Sequence, residues 1–248
     1  SSTTTATYIF AADVLTQGND AQGNPIAPAG YPSTWGPYTT IGGTAPGYYA
    51  MDAHIVSESR EHILKGLQQL PIVSMVTRKD NLFSKSTNEE TGGIYIYTGA
   101  PTGSGLGRDW ERRISLEVFG GPLDLDYTSD CGTKIHGGHS RLPEKNPKHA
   151  FRLMFKGKYG AKKMKYAVFG KGDGMVKKFE DLVLRTYFGN AWTHWDEGNR
   201  TKAQYTRDLW ARAIQERLEM PASHGQPVHL FINGMYWGIY NLCERLNS

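Results

Sequence analysis

Cysteine is scarce: Cys131 and Cys243 are the only two in 248 residues. That excludes a disulfide framework, and the spacing fits no zinc motif. In an oxidising compartment the two can bridge; otherwise they are buried thiols, and the sequence leaves both readings open. Long apolar runs are also missing, so no segment has the ~20 residues of a membrane-crossing helix. No signal peptide is visible. The chain has no initiator methionine, and Ser1–Thr5 reads as a linker left by processing or as the cut edge of a larger protein. Charge is uneven. Residues 1–60 hold one basic residue, Arg60, against four acids, whereas Lys134–Lys178 holds thirteen Lys and Arg against Glu144 and Asp173. Nucleic acid would suit such a block, but no RRM, helix-turn-helix or zinc-finger pattern accompanies it. Nucleotide phosphates, anionic polymers and acidic partners stay open, beside the plain reading of a solvated basic face.

What is present describes a globular chain. Apolar residues make up 39% and aromatics 12%, and 29 glycines predict many turns and a strand-rich architecture. Residues 1–50 are rich in Gly, Pro, Thr and Tyr without sustained periodicity and read as an extended N-terminal arm or linker, with one domain over 51–248. Ile63, Leu64 and Leu67 fall at helical spacing within 57–70, and Pro71 ends the run. Strands are expected at Ile72–Thr77, Gly93–Thr98, Ile114–Phe119 and Phe151–Phe155. The glycine-rich stretch 88–108 reads as surface loop around the second of these. Residues 179–185 suit helix or strand, with strand preferred over Leu182–Thr186. The clearest helix is Lys202–Met220, with Tyr205, Leu209, Ala213, Ile214 and Leu218 on one face. Asn233-Gly234 between alternating runs is a type I′ hairpin signature, pairing Val228–Ile232 with Tyr236–Leu242.

The stretch Cys131–Gly160 carries the chemistry. A β-prone run meets Gly137-Gly138, then Ser140-Arg141, a Pro- and Lys-rich connector, and a second strand headed by Lys148. Paired glycines let backbone N–H groups approach an anion, and adjacent cations hold its charge. Two glycines alone are weak evidence, because most such pairs are ordinary turns. Lys148 is either a phosphate contact or a solvated strand-edge lysine. Arg141 either forks onto a phosphate or pairs with Glu144 or another loop acid. His136 and His139, with no further His or Cys nearby, read as loop or strand side chains rather than metal ligands.

These motifs keep a recognisable order. Ile72-Val73-Ser74-Met75, Asp80-Asn81-Leu82-Phe83, Gly93-Ile94-Tyr95-Ile96-Tyr97 and Trp110-Glu111-Arg112 precede the glycine turn. Lys148, Phe151-Arg152-Leu153, Lys158-Tyr159-Gly160, Arg207-Asp208, the Asn233-Gly234 hairpin and Glu244-Arg245 follow it. Over roughly residues 70–246 the chain resembles the spore coat protein H (CotH) kinase family, an atypical protein-kinase-like fold of secreted proteins. The opening Tyr8–Gln17 resembles, more weakly, the segment leading into that domain in long bacterial surface proteins.

The resemblance implies an α+β fold: a protein-kinase-like N-lobe with a mainly antiparallel sheet and one long helix, preceded by the arm. It implies ATP and Mg²⁺, transfer to a protein Ser, and a secreted or cell-surface location. Its cofactor-binding candidates are Gly137, Gly138, Arg141, Lys148 and, where a hinge would meet adenine, Glu244. A kinase also needs a helix acid to hold its lysine. Asp208 and Glu216 are the catalytic candidates, about 80° apart around the helix, and each is also a plausible structural ion-pair partner. The family continues Glu-Arg-x-Asp, whereas this chain reads Glu244-Arg245-Leu246-Asn247. The metal-binding and catalytic carboxylates that the family places beyond this point are therefore expected to be missing, together with the C-terminal catalytic lobe, and the chain alone is expected to be inactive. Expected partners are an acidic or Ser-rich protein or the remainder of the same polypeptide, with nucleic acid unfavoured. The alternative is a non-catalytic structural or binding module of an extracellular assembly, with Trp192, Trp195 and Trp237 as its aromatic surface.

Overall fold

The structure, a computed structural model, describes residues 5–35, 45–100, 105–171 and 175–245. Residues 1–4 of the expected Ser1–Thr5 linker, Asp173 and the residues closing the chain after Arg245 lie outside the described residues. Seven strands form the frame: β1 (Ile72–Val76), β2 (Arg112–Gly120), β3 (Leu125–His136), β4 (Ala150–Met154), β5 (Asp181–Arg185), β6 (Gly225–Ile232) and β7 (Met235–Glu244). Their order is β6-β7-β5-β4-β3-β2-β1, and β1 pairs back onto β6, closing a barrel. Every junction is antiparallel except β1–β6, where Ile72 faces His229 and Met75 faces Ile232 in parallel register. The α+β class and the dominance of antiparallel pairing therefore stand, but the protein-kinase-like N-lobe does not: the sheet closes into a barrel without an edge.

Sequence periodicity explains the walls. In β2, Ile114, Leu116 and Val118 are buried while the residues between them are not. Phe151 and Leu153 of β4, Leu182 and Leu184 of β5, and Tyr240 and Leu242 of β7 join the same core. Fully burying such a side chain stabilises by roughly 1.5–3 kcal/mol. The β6–β7 hairpin turns at Asn233 (φ 50°) and Gly234 (φ 80°), as a type I′ turn requires. It lies in the same barrel as the strand after Lys148.

Two helices among the described residues exceed ten residues. α1 (Ala53–Leu67) starts where the Asp52 carboxylate accepts from the N–H groups of His54 and Ile55, at 2.9 and 3.1 Å. Its Leu67 packs with Val14 and Phe231 in a smaller apolar cluster. α2 (Arg207–Arg217) is shorter than the expected Lys202–Met220, and α1 is the longer of the two. None of the residues of α2 is fully buried, and the left-handed Glu219 (φ 56°) ends the run. The apolar face that suggested a longer helix lacks the tertiary cover that sustains one.

Gly93–Thr98 is not a strand. The N–H groups of Ile96 and Tyr97 both reach back to the Gly93 carbonyl, so the segment turns on itself. Nor is it surface loop: residues 92–100 are all buried. A run buried on every side shows apolar residues at any period. The N-terminal segment also enters the interior. Trp35 and Tyr49 lie in the main core beside Tyr95 and Trp237, the two indole rings 5.2 Å apart. Trp237 is thus core and not surface, whereas Trp192 and Trp195 are exposed. Cys131 and Cys243 are buried free thiols. They sit on β3 and β7, with β4 and β5 between, so roughly 14 Å of sheet separates them. That is beyond disulfide reach.

Candidate functional site

His136, the last residue of β3, is the register partner of Ala150, the first of β4. The connector 137–149 therefore leaves and returns at one end of the barrel. Gly137 (φ 118°) opens it in a conformation that side chains rarely adopt, and a Cβ there would meet the Ser140 hydroxyl. Gly138 leads a single 3₁₀ turn, His139–Arg141. The buried Arg141 guanidinium folds back: Nε donates to the Gly137 carbonyl at 2.6 Å and Nη1 to the Thr98 carbonyl at 2.7 Å. Thr98 Oγ1 donates to the Arg141 carbonyl at 2.5 Å. Arg141 thus clasps the buried 92–100 segment instead of pairing with Glu144.

Lys148 reaches inward. Its Nζ donates to the Trp237 carbonyl at 2.7 Å and lies 4.9 Å from the centre of that indole. Burial lowers its pKa to about 7. Among the described residues no carboxylate stands within ion-pair distance of it. The floor beneath is polar but closed. Tyr95 Oη accepts from the His149 N–H and from Trp237 Nε1, each at 3.1 Å, and donates to the Pro147 carbonyl at 3.2 Å. His149 Nδ1 lies 3.1 Å from the Ser140 carbonyl, while its buried Nε2 has no partner among the described residues.

The local field is positive. Burial first, then Arg141, Arg245, Arg152 and Arg185 in turn, hold the His136 pKa down at about 4. A histidine so placed is neutral at pH 7; of the arginines around it, Arg152 and Arg245 share Asp181 and Arg185 pairs with Asp208. His139 lies in the exposed turn beyond it.

The candidate acids go elsewhere. Asp208, at the start of α2, accepts from Arg185 Nη1 at 2.8 Å and pairs with Arg212 Nη2 at 3.1 Å. It fastens the helix to β5. Glu216 lies 3.5 Å from His224 Nε2, and Glu244 Oε2 lies 3.1 Å from His224 Nδ1, so His224 joins the two carboxylates. Glu244 Oε1 is buried and has no partner among the described residues. Glu244 stands seven residues along β7 from Trp237, roughly 23 Å of extended chain. The structure gathers Gly137, Gly138, Arg141 and Lys148 at one end and leaves Glu244 far from it. Among the described residues no three His, Cys, Asp or Glu side chains gather to hold a metal.

Sequence reasoning named Tyr95 in a motif, Thr98 at the end of an expected strand and Trp237 as a surface aromatic, but did not bring them to Lys148, where they build the floor and clasp of this site. They lie far along the chain from Lys148, and no local signal pairs them with it.

Residues 133–248 match the family model described as CotH kinase protein, so this part of the chain is similar to that family. The match opens within β3 and runs through the connector, Lys148, α2 and the β6–β7 hairpin. No curated protein matches the chain.

Proposed function

We propose that this CotH-like domain holds the phosphates of a nucleotide at the Gly137–Lys148 end of the barrel, as the phosphate-binding lobe of a secreted or cell-surface kinase-like protein. One observation carries the reading. The half-buried Lys148 side chain sets its ammonium against Trp237 with a carbonyl and a ring face for company, and no counter-charge among the described residues. A buried cation without a counter-ion is costly, and an arriving phosphate would supply one. The positive field at His136 points the same way. The secreted location and the ATP ligand rest on the family resemblance.

The residues fit the phosphate half of the ATP and Mg²⁺ that the resemblance implies. They do not fit the metal, because no carboxylate set gathers among the described residues, and Asp208, Glu216 and Glu244 are committed to Arg185, Arg212 and His224. In-line transfer needs a held metal and a group orienting the attacking hydroxyl. The reading is therefore binding without transfer by this chain.

The test is calorimetric titration of the chain with ATP, with and without Mg²⁺, beside a labelled-phosphate assay on a Ser-containing acceptor. Saturable binding abolished in Lys148→Met, with no transfer above background, is the expected result. Equal binding by wild type and Lys148→Met would remove the phosphate site, and Lys148-dependent transfer would show that the acids are misassigned. A second reading, a non-catalytic structural or binding module, is favoured by the Arg141 clasp, which spends on backbone carbonyls a guanidinium that a phosphate site would leave open. Absence of any nucleotide binding selects it.

A further inference from the structure

We propose that a second site, the lysine-lined cavity beside the turn between β2 and β3, binds the consecutive phosphates of linear inorganic polyphosphate. It lies apart from the Gly137–Lys148 end and does not rest on the nucleotide reading.

The turn 121–124 leads into the start of β3, whereas Gly137 follows its end. The twelve residues of that strand put roughly 35 Å between the two places. Beside the turn, a two-stranded ladder outside the barrel pairs Met164–Lys165 with Lys178–Phe179. Between ladder and turn lies a cavity of about 630 Å³, within the range of small-ligand sites. Lys165, Lys171, Lys177 and Lys178 line it, and Asp124 is the single acid among its described lining residues.

The register forces cations together. Lys165 and Lys178 are direct cross-strand partners. Their Cβ atoms stand roughly 5 Å apart in such a pair, and like charges so opposed destabilise a ladder. Sliding the register to part them would turn Met164 and Phe179, both buried in the main core, toward water. The wall is fixed as well: the Asp126 N–H donates to Tyr166 Oη at 2.7 Å, and Gln226 Nε2 donates to the Val168 carbonyl at 2.7 Å. Elsewhere in the same basic stretch the fold pairs its lysines. Lys156 and Lys158 share Glu111, and Lys163 meets Glu180 at 2.8 Å. The four cavity lysines are exposed, and among the described residues none has an acid within ion-pair distance.

The lining selects the ligand. Ammonium groups bind phosphate as point charges, and a pair opposed across a ladder closes on one phosphate from both sides. Four of them in one concavity match a run of adjacent phosphates better than a single one. No arginine lines the cavity among the described residues, so the guanidinium fork that reads carboxylates is missing. Its one aromatic, Tyr166, is half-buried and packs on Tyr127 with centroids 5.3 Å apart. A nucleic-acid strand thus meets one partly covered ring instead of the succession of platforms that its bases use. A concave site also suits a thin flexible chain better than a flat bilayer.

The probe is sodium tripolyphosphate, titrated calorimetrically at about 150 mM salt into the wild-type chain and into Lys148→Met, which silences any phosphate binding at the other end of the barrel. Saturable binding is expected in both. In the Lys148→Met background, adding Lys165→Gln/Lys178→Gln should weaken it about tenfold or more. Adding Lys162→Gln/Lys163→Gln instead, which removes two exposed lysines outside the cavity, should leave it unchanged. Without ligand, the Lys165→Gln/Lys178→Gln chain should melt no lower than its parent, because a repulsive pair is gone. Tripolyphosphate should raise the melting temperature of the parent and not that of the cavity variant. No binding at millimolar concentration overturns the proposal. So does binding that the cavity variant keeps, or that the Lys162/Lys163 variant loses to the same degree. Hexaglutamate, oligothymidylate or phosphatidylglycerol vesicles that bind as tightly, with the same dependence on Lys165 and Lys178, would overturn it too and assign the cavity to an acidic peptide, a nucleic acid or a membrane.

Discussion

The indole N–H of Trp237 donates to the hydroxyl of Tyr95 at 3.1 Å, joining residues 142 positions apart. Trp237 belongs to the barrel wall, and Tyr95 to the turning segment packed inside it. Through this contact and the His149 N–H, one hydroxyl sets the floor under Lys148.

Tyr95→Phe should therefore be costly for so small a change. It leaves two buried N–H donors and the Pro147 carbonyl without a partner. Loss of about 3 kcal/mol or more is expected, since three groups lose their partner and each unsatisfied buried group costs about 1–3 kcal/mol. Urea unfolding at constant slope measures it, and a loss under 0.5 kcal/mol would show that the hydroxyl network is dispensable.

Lys148 should make stability pH-dependent with a defined sign. Its folded pKa is lowered from 10.5 to about 7. Between those values the unfolded chain binds the extra proton, so stability rises with pH there. Below pH 7 both states carry the charge and the penalty of burying it is fully present. The difference in unfolding free energy between wild type and Lys148→Met should shift toward wild type from pH 7 to 9.5 and be flat from pH 5 to 6. A pH-independent difference would mean that the ammonium is not sunk.

Arg141 is expected to act on stability before anything else. Arg141→Met frees the Gly137 and Thr98 carbonyls in a buried place and should cost roughly 2–3 kcal/mol. Arg141→Lys should not restore it, because an ammonium cannot span both carbonyls as the guanidinium fork does. Rescue by lysine in the unfolding midpoint would argue for a simple charge role.

The two thiols should be silent in the folded protein. Both are buried, and burial raises the pKa of each. Iodoacetamide at pH 8 should modify neither in buffer and both in urea, and mobility without reductant should match that with it. Rapid alkylation of the native chain would contradict the burial of Cys131 and Cys243.

Much of the fold was legible because alternation survives wherever a strand has one wet face. Ile114, Leu116 and Val118 marked β2, Phe151 and Leu153 marked β4, and Asn233-Gly234 fixed the hairpin by the positive φ angles that only such residues adopt cheaply. Gly137 and Lys148 were also placed at one end of the sheet, because a short connector between antiparallel neighbours must return where it left. The helix after Thr206 was visible, but its length was not: exposed ends are set by packing, which periodicity does not report.

The sequence by itself determined local pairing, turn chemistry and the family order of motifs, all of which depend on residues near one another in the chain. Tertiary structure alone decided the closure of the barrel by the parallel contact of β1 with β6, a pairing of segments more than 150 residues apart with no local signal. It also decided that Arg141 grips Thr98, that Lys148 packs half-buried against Trp237 without an acid among the described residues, and that Trp237 is core while Trp192 and Trp195 face water. A side chain's charge and size are written in the chain. Its partner and its dielectric come from whatever distant segment folds against it.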